Sequence, residues 1–211
     1  MPVDPIQLSE EERSHLQERE FFYARKAIRG KLRLLLTAIR KELLPLCHDA
    51  KSWLAPDGLD ALSGQQAGGE YYHDLPYVYL DLPKHFSREA TFTFRWMAWW
   101  GNYFFFAFIS QGPTMARHVE QLLASWDAFA TRGLFIGVSE DLWDWRAEPA
   151  LVMPLVPATR EAAAELLARH PFLKLVRVVP FDDPAVAEGR VVDEAVAFFT
   201  LLKPLFADPE P

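Results

Sequence analysis

From Trp96 to Ala116 the chain carries no charged side chain, and the core of this run, RWMAWWGNYFFFAFIS (95–110), holds eight aromatic rings. A window of about 20 uncharged residues is long enough for a bilayer-spanning helix. The content argues otherwise: Gly101-Asn102 interrupts the middle, and Ser110-Gln111-Gly112-Pro113 closes the end with turn formers. Gly-Asn between two runs of aromatic and β-prone residues is the signal of a tight β-hairpin. With the turn at Gly101-Asn102, Trp100 stands opposite Tyr103, Trp99 opposite Phe104, Met97 opposite Phe106 and Arg95 opposite Phe108. One face then collects Phe92, Phe94, Trp96, Ala98 and Trp100 with Tyr103, Phe105, Ala107 and Ile109, and it must be core. The other face holds Met97, Trp99, Phe104, Phe106 and Phe108, with Arg95 at its edge. An apolar surface of that size needs a cover, whether a helix, a partner subunit or a ligand.

The remaining elements follow from periodicity. Ser9 and Glu12 have capping-box spacing, and Ile28, Leu32, Leu35, Ile39, Leu43 and Leu46 recur at helical intervals. The opposite side of that helix carries Arg25, Lys26, Arg29, Arg33, Arg40 and Lys41, while Glu10, Glu11, Glu12, Glu18 and Glu20 lie just upstream, so a helical hairpin with complementary charge is expected. Gly30 is a candidate break or bend. Residues 51–70, rich in glycine and small polar residues, read as a loop, and 77–82 as a strand. Thr114 is placed to cap a helix, with Gly133 beyond its end. Short strands at 134–138 and 151–156, a helix at 159–170, a strand at 173–179 and a final helix at 191–206 complete the chain. The expectation is a single α+β domain over 1–211, with a helical part (1–50), a loop (51–70) and a mainly antiparallel sheet with helices (71–211) built around the aromatic hairpin.

The bulk numbers narrow the function classes. Half of the 211 residues are apolar and 24% are charged, a globular balance. The formal net charge of -7 disfavours nucleic acid as a partner. A single cysteine, Cys47, forms no internal disulfide and builds no Cys-rich metal site; a buried, structural role is expected, in a cytoplasmic protein. The glycine-rich dinucleotide fingerprint, the phosphate-binding loop, the zinc-protease helix motif and the nucleophile elbow are all absent from the sequence. No cofactor or metal is called for.

Two groups of residues could carry a site. The aromatic face with Arg95, Trp99, Phe104 and Phe106, joined by the Trp143-Asp144-Trp145-Arg146 segment, suits a small planar or anionic ligand or a protein partner: alternate tryptophans of an extended segment point to one side, and an arginine at the rim orients the ligand. The same face could instead be a homodimer interface. The alternative is a metal-assisted hydrolase in which Asp81, Lys84 and His85 supply an acid, an amine and an imidazole. His73 is a further histidine that nothing in the spacing fixes near His85.

The helix KLRLLLTAIRKELLPLCHD, the hairpin FTFRWMAWWGNYFFFAFISQGP with the helix TMARHVEQLLASWDAFA after it, and the closing pair LKLVRVVPF and VVDEAVAFFTLLKPLF resemble, in order and pattern, the YktB-like bacterial proteins. That resemblance implies an α+β fold. It implies no reaction, and no catalytic residue comes with it.

Overall fold

The computed structural model describes residues 6–48, 53 and 55–206. Seven strands form one antiparallel sheet: β1 (Gln65–Tyr72), β2 (Leu75–Phe86), β3 (Thr91–Trp99), β4 (Tyr103–Gln111), β5 (Phe135–Gly137), β6 (Val152–Pro154) and β7 (Leu173–Pro180), in the spatial order β1-β2-β3-β4-β7-β5-β6. The helices are α1 (Glu10–Gln17), α2 (Arg19–Cys47), α3 (Met115–Ala124), α4 (Trp126–Phe129), α5 (Arg160–Leu167), α6 (Pro184–Ala187) and α7 (Val191–Leu202). The fold is α+β, as expected. Among the described residues no helix is long and apolar enough to cross a membrane.

The hairpin forms, but its register differs by one residue from the expected one. Trp99 pairs with Tyr103, Met97 with Phe105, Arg95 with Ala107 and Phe94 with Phe108. The loop has three residues rather than two. Its turn is closed by the Asn102 N–H donating to the Trp99 carbonyl at 3.1 Å, with Gly101 at φ +73°, the third-position geometry of a type II turn. Because side chains alternate along a strand, the slip exchanges the two faces of β4. Phe104, Phe106, Phe108 and Ser110 therefore lie with Phe92, Phe94, Trp96 and Ala98, whereas Tyr103, Phe105, Ala107 and Ile109 lie with Arg95, Met97 and Trp99.

The first face is the main core. Leu36, Ile39, Leu43 and Cys47 of α2, Leu122 of α3 and Phe198, Phe199 and Leu202 of α7 all pack onto it. Phe94 meets Phe108 at 4.9 Å and Phe199 at 4.8 Å between ring centroids, distances at which offset and tilted aromatic pairs attract beyond their buried area. Cys47 is buried as expected, and burial pushes its thiol up to about 12.

Several boundaries move. The segment 51–70 is not all loop: β1 begins at Gln65, and residues 49–52 and 54 lie outside the described residues. Helix α2 runs unbroken through Gly30, and the capping box of Ser9 and Glu12 is formed. Thr114 precedes α3, yet its hydroxyl caps no N–H and finds no partner. The helices read as 159–170 and 191–206 shorten to α5 and α7.

Replacing Gly101 with alanine places a Cβ in the left-handed region and is expected to cost about 1 kcal/mol. Urea unfolding of Gly101→Ala should show a lower midpoint at an unchanged slope.

Candidate functional site

Every residue of β3 is buried, so the strand is covered on both sides. The second cover is neither a helix nor a partner but the chain's own loop between β5 and β6. Two tyrosines of the sheet anchor it. The Tyr72 hydroxyl accepts from the Trp145 N–H at 2.7 Å and donates to Asp144 Oδ1 at 3.3 Å; the Tyr103 hydroxyl accepts from the Ala147 N–H at 2.8 Å and donates to the Trp145 carbonyl at 3.2 Å. Burial pushes the Tyr72 phenol up to about 12 and raises that of Tyr103.

Under this loop lies a buried ion pair. Arg95 Nε and Nη2 donate to the two oxygens of Asp81, each at 2.7 Å, across the β2–β3 ladder. The guanidinium is stacked among Tyr79 (4.1 Å), Trp145 (4.5 Å) and Trp143 (4.9 Å). Burial pushes the Asp81 carboxyl upward from its ordinary value, and the hydrogen bonds and charge of Arg95 oppose that shift. Two buried charges are sustained only by such fork-to-carboxylate geometry.

The structure thus brings together three of the expected residues, Arg95, Trp143 and Trp145, and commits the arginine to Asp81. Trp99 shares their face and donates its indole N–H to the Tyr72 carbonyl at 3.2 Å. Phe104 and Phe106 do not join them; they face the helices, Phe104 against Phe181 and Phe106 against Phe198. Arg146 folds back on Asp144 at 2.8–2.9 Å. Although burial works to raise it, the bonds from Arg146 and Ser139 hold the Asp144 carboxyl well below the usual carboxylate range. In the alternative polar group, the shift of register between Asp81 and Lys84 leaves Lys84 bonded to Gln65 Oε1 on the Asp81 side, while His85 pairs with Phe92 and belongs to the opposite side. His73 sits against Tyr72 and Trp99, away from His85. Among the described residues no group of three or more His, Cys, Asp or Glu side chains is placed to hold a metal ion.

Sequence reasoning missed Lys174. It is 2% exposed on β7, and its ammonium donates to the carbonyls of Asp144 (2.7 Å) and Leu142 (3.2 Å), tying the loop down from beneath. Burial lowers this amine to about 8. The stem passes Gly137, where a Cβ would stand 2.4 Å from Lys174 Cε. An apolar-polar alternation on β7 reads as an exposed lysine, so only the glycine on the neighbouring strand signals its path.

Open concavities with charge lie elsewhere, along α2; one of about 710 Å³ is lined by Arg40, Lys41 and Leu44. A groove of about 700 Å³ runs between α2 and the end of β1, lined by Phe22, Arg25, Lys26, Arg29 and Arg33 from the helix and Glu70 and Tyr71 from the strand. Glu70 binds both Arg25 and Arg29, the latter at 2.6 Å. Helix α2 holds eight of the chain's 22 basic residues and two of its 29 acidic ones. Gly30 lies on the groove wall, and a Cβ built there would meet nothing within 4 Å. No family model, no curated protein and no solved structure matches this chain.

Two predictions test the loop's anchoring. Asp81→Asn leaves a buried guanidinium without its counter-charge and should cost about 3–5 kcal/mol, whereas Asp81→Leu combined with Arg95→Met should cost far less; urea unfolding of both variants gives the comparison. Lys174 binds its proton less tightly folded (about 8) than in its ordinary state (10.5), so its contribution to stability rises as pH climbs between those values, by up to about 3 kcal/mol. Cys47 and the tyrosines work in the opposite sense above pH 9. The readout is therefore the difference in stability between wild type and Lys174→Met, which should shift toward wild type from pH 8 to 10.5.

Proposed function

We propose that this protein is a binding module that engages an acidic protein partner through the groove between α2 and β1. The carrying observation is Gly30. A glycine inside a helix costs roughly 0.5–1 kcal/mol relative to alanine. Here no neighbour forbids a side chain, so packing gives no reason for that cost. Keeping the groove open for something that approaches the helix backbone gives one.

Charge points the same way. Arg25, Lys26, Arg29 and Arg33 face the groove, and Glu70 is the single acid lining it. Phe22 and Tyr71 stand exposed at its edges, 46% and 86%, as aromatic anchors at binding surfaces do. A long polyanion such as nucleic acid fits less well, because the chain as a whole carries -7 and Glu10, Glu11 and Glu12 of α1 lie close by in sequence. The concave shape suits an inserted protein segment better than a flat bilayer. The aromatic face with Arg95 reads as the interior wall of the loop's anchorage, and the resemblance to YktB-like proteins adds no reaction to this reading.

The expected behaviour of Gly30→Ala is a free protein more stable by about 0.5–1 kcal/mol. Gly30→Leu should remain folded and lose at least tenfold in affinity for a glutamate-rich ten-residue peptide, measured by fluorescence anisotropy. Arg33→Glu should lose as much, and wild-type affinity should fall with added salt. Salt-independent binding, or a Gly30→Leu protein that binds unchanged, contradicts the proposal.

A further inference from the structure

The sheet has two edges, and they are finished differently. On one side β6 is three residues long and ends in Pro154, a common way of blunting an edge. On the other, β1 is eight residues long, QQAGGEYY, with no proline and no lysine. Its outward groups can be identified from the ladder. The Trp100 N–H donates to the Pro76 carbonyl at 3.0 Å, so the even-numbered residues of β2 bond toward β3. The odd-numbered ones, Tyr77, Tyr79 and Asp81, bond toward β1, where their partners are Gly69, Ala67 and Gln65. The backbone N–H and C=O groups of Gln66 and Gly68 consequently face away from the sheet. Among the described residues no other backbone group bonds to them.

The regular ladder of this edge gives way after Gly69 to a shift of register before Tyr72, and the two residues within it, Glu70 and Tyr71, line the cationic groove. A helix set beside an unpaired edge strand is the arrangement that accepts an extended peptide as an added strand: main-chain bonds supply affinity, and side chains on one face meet the helix. The geometry points to an extended acidic segment of a partner protein that adds to β1 as an eighth strand, its alternate carboxylates reaching Arg25, Lys26, Arg29 and Arg33. A second copy fits the same edge poorly. Antiparallel pairing of β1 with itself about Gly68 places the two α2 helices on one face, cationic row beside cationic row, and like charges repel. The inference rests on the acidic-partner reading and adds its binding mode.

The test uses the whole protein and two synthetic ten-residue peptides of alternating valine and glutamate, one unmodified and one N-methylated at every second amide. N-methylation removes the donors of an added strand and leaves the charges intact. The expected results are at least tenfold weaker binding of the methylated peptide and at least tenfold slower hydrogen exchange at the Gln66 and Gly68 amides when the unmodified peptide is bound. Equal binding of both peptides, with those amides still fast and with Arg33→Glu still impaired, overturns strand addition and leaves the acidic-partner reading standing. Binding of neither peptide at millimolar concentration overturns both. A free protein that is already dimeric, with the Gln66 and Gly68 amides already slow, gives the edge to a second copy and also overturns the inference.

Discussion

The bidentate contact between Asp81 and Arg95 decides how the second side of this sheet is built. Two charges inside an aromatic wall are tolerable only if each satisfies the other and water is kept out. Tyr79, Trp143 and Trp145 close around the guanidinium, and the loop carrying the tryptophans is fixed by Tyr72, Tyr103 and Lys174. Each anchor comes from a different strand: β1, β4 and β7. The irregular loop therefore acts as a second layer, opposite the layer of helices, and it explains why β3 is buried on both faces.

That arrangement redirects the question of function. An arginine beside aromatic rings suggests a ligand site, but this guanidinium is buried, stacked among three rings and bonded in bidentate fashion to a carboxylate of the same sheet. Two other buried polar groups of the sheet are engaged as well: Lys174 holds two carbonyls, and Ser110 Oγ lies 2.7 Å from His118 Nδ1. What remains available is at the periphery, where α2 carries its arginines past the part of the helix that packs on the sheet. Fully buried residues of α2 begin only at Leu36; before it Leu32 packs against the core, Glu70 binds Arg25 and Arg29, and most of the other side chains are exposed.

Much of the fold was legible because patterning alone specified it. The aromatic hairpin, the turn residues and part of the helical stripe announced themselves at short range: Ile39 and Leu43 are buried and Leu32, Leu35 and Leu46 pack partly, whereas Ile28 is exposed and Leu36 and Cys47 are buried beside the stripe. The register did not, since two- and three-residue loops around Gly101-Asn102 both satisfy the local turn chemistry and differ only in which side of β4 meets the helices. That single residue separates Phe104 and Phe106 from Arg95. The meeting of Arg95 with Trp143 and Trp145 was readable from their chemistry, whereas its partnership with Asp81 was not, because it depends on strand pairing across 14 residues. Lys174 and the open edge at Gln66 and Gly68 were hidden for the same reason: each is defined by neighbours distant in sequence.

The central claim is that the chain itself closes the second face of its sheet, so that binding falls to the groove along α2. Hydrogen–deuterium exchange of the free protein addresses it directly. The amides of Trp145 and Ala147, bonded to tyrosine hydroxyls, should exchange on the slow timescale of β3 and β4, far more slowly than those of α1, which buries no residue. Exchange of Trp145 and Ala147 as fast as α1 would mean that the loop stands open, exposing Arg95 and its aromatic wall, and would contradict the account.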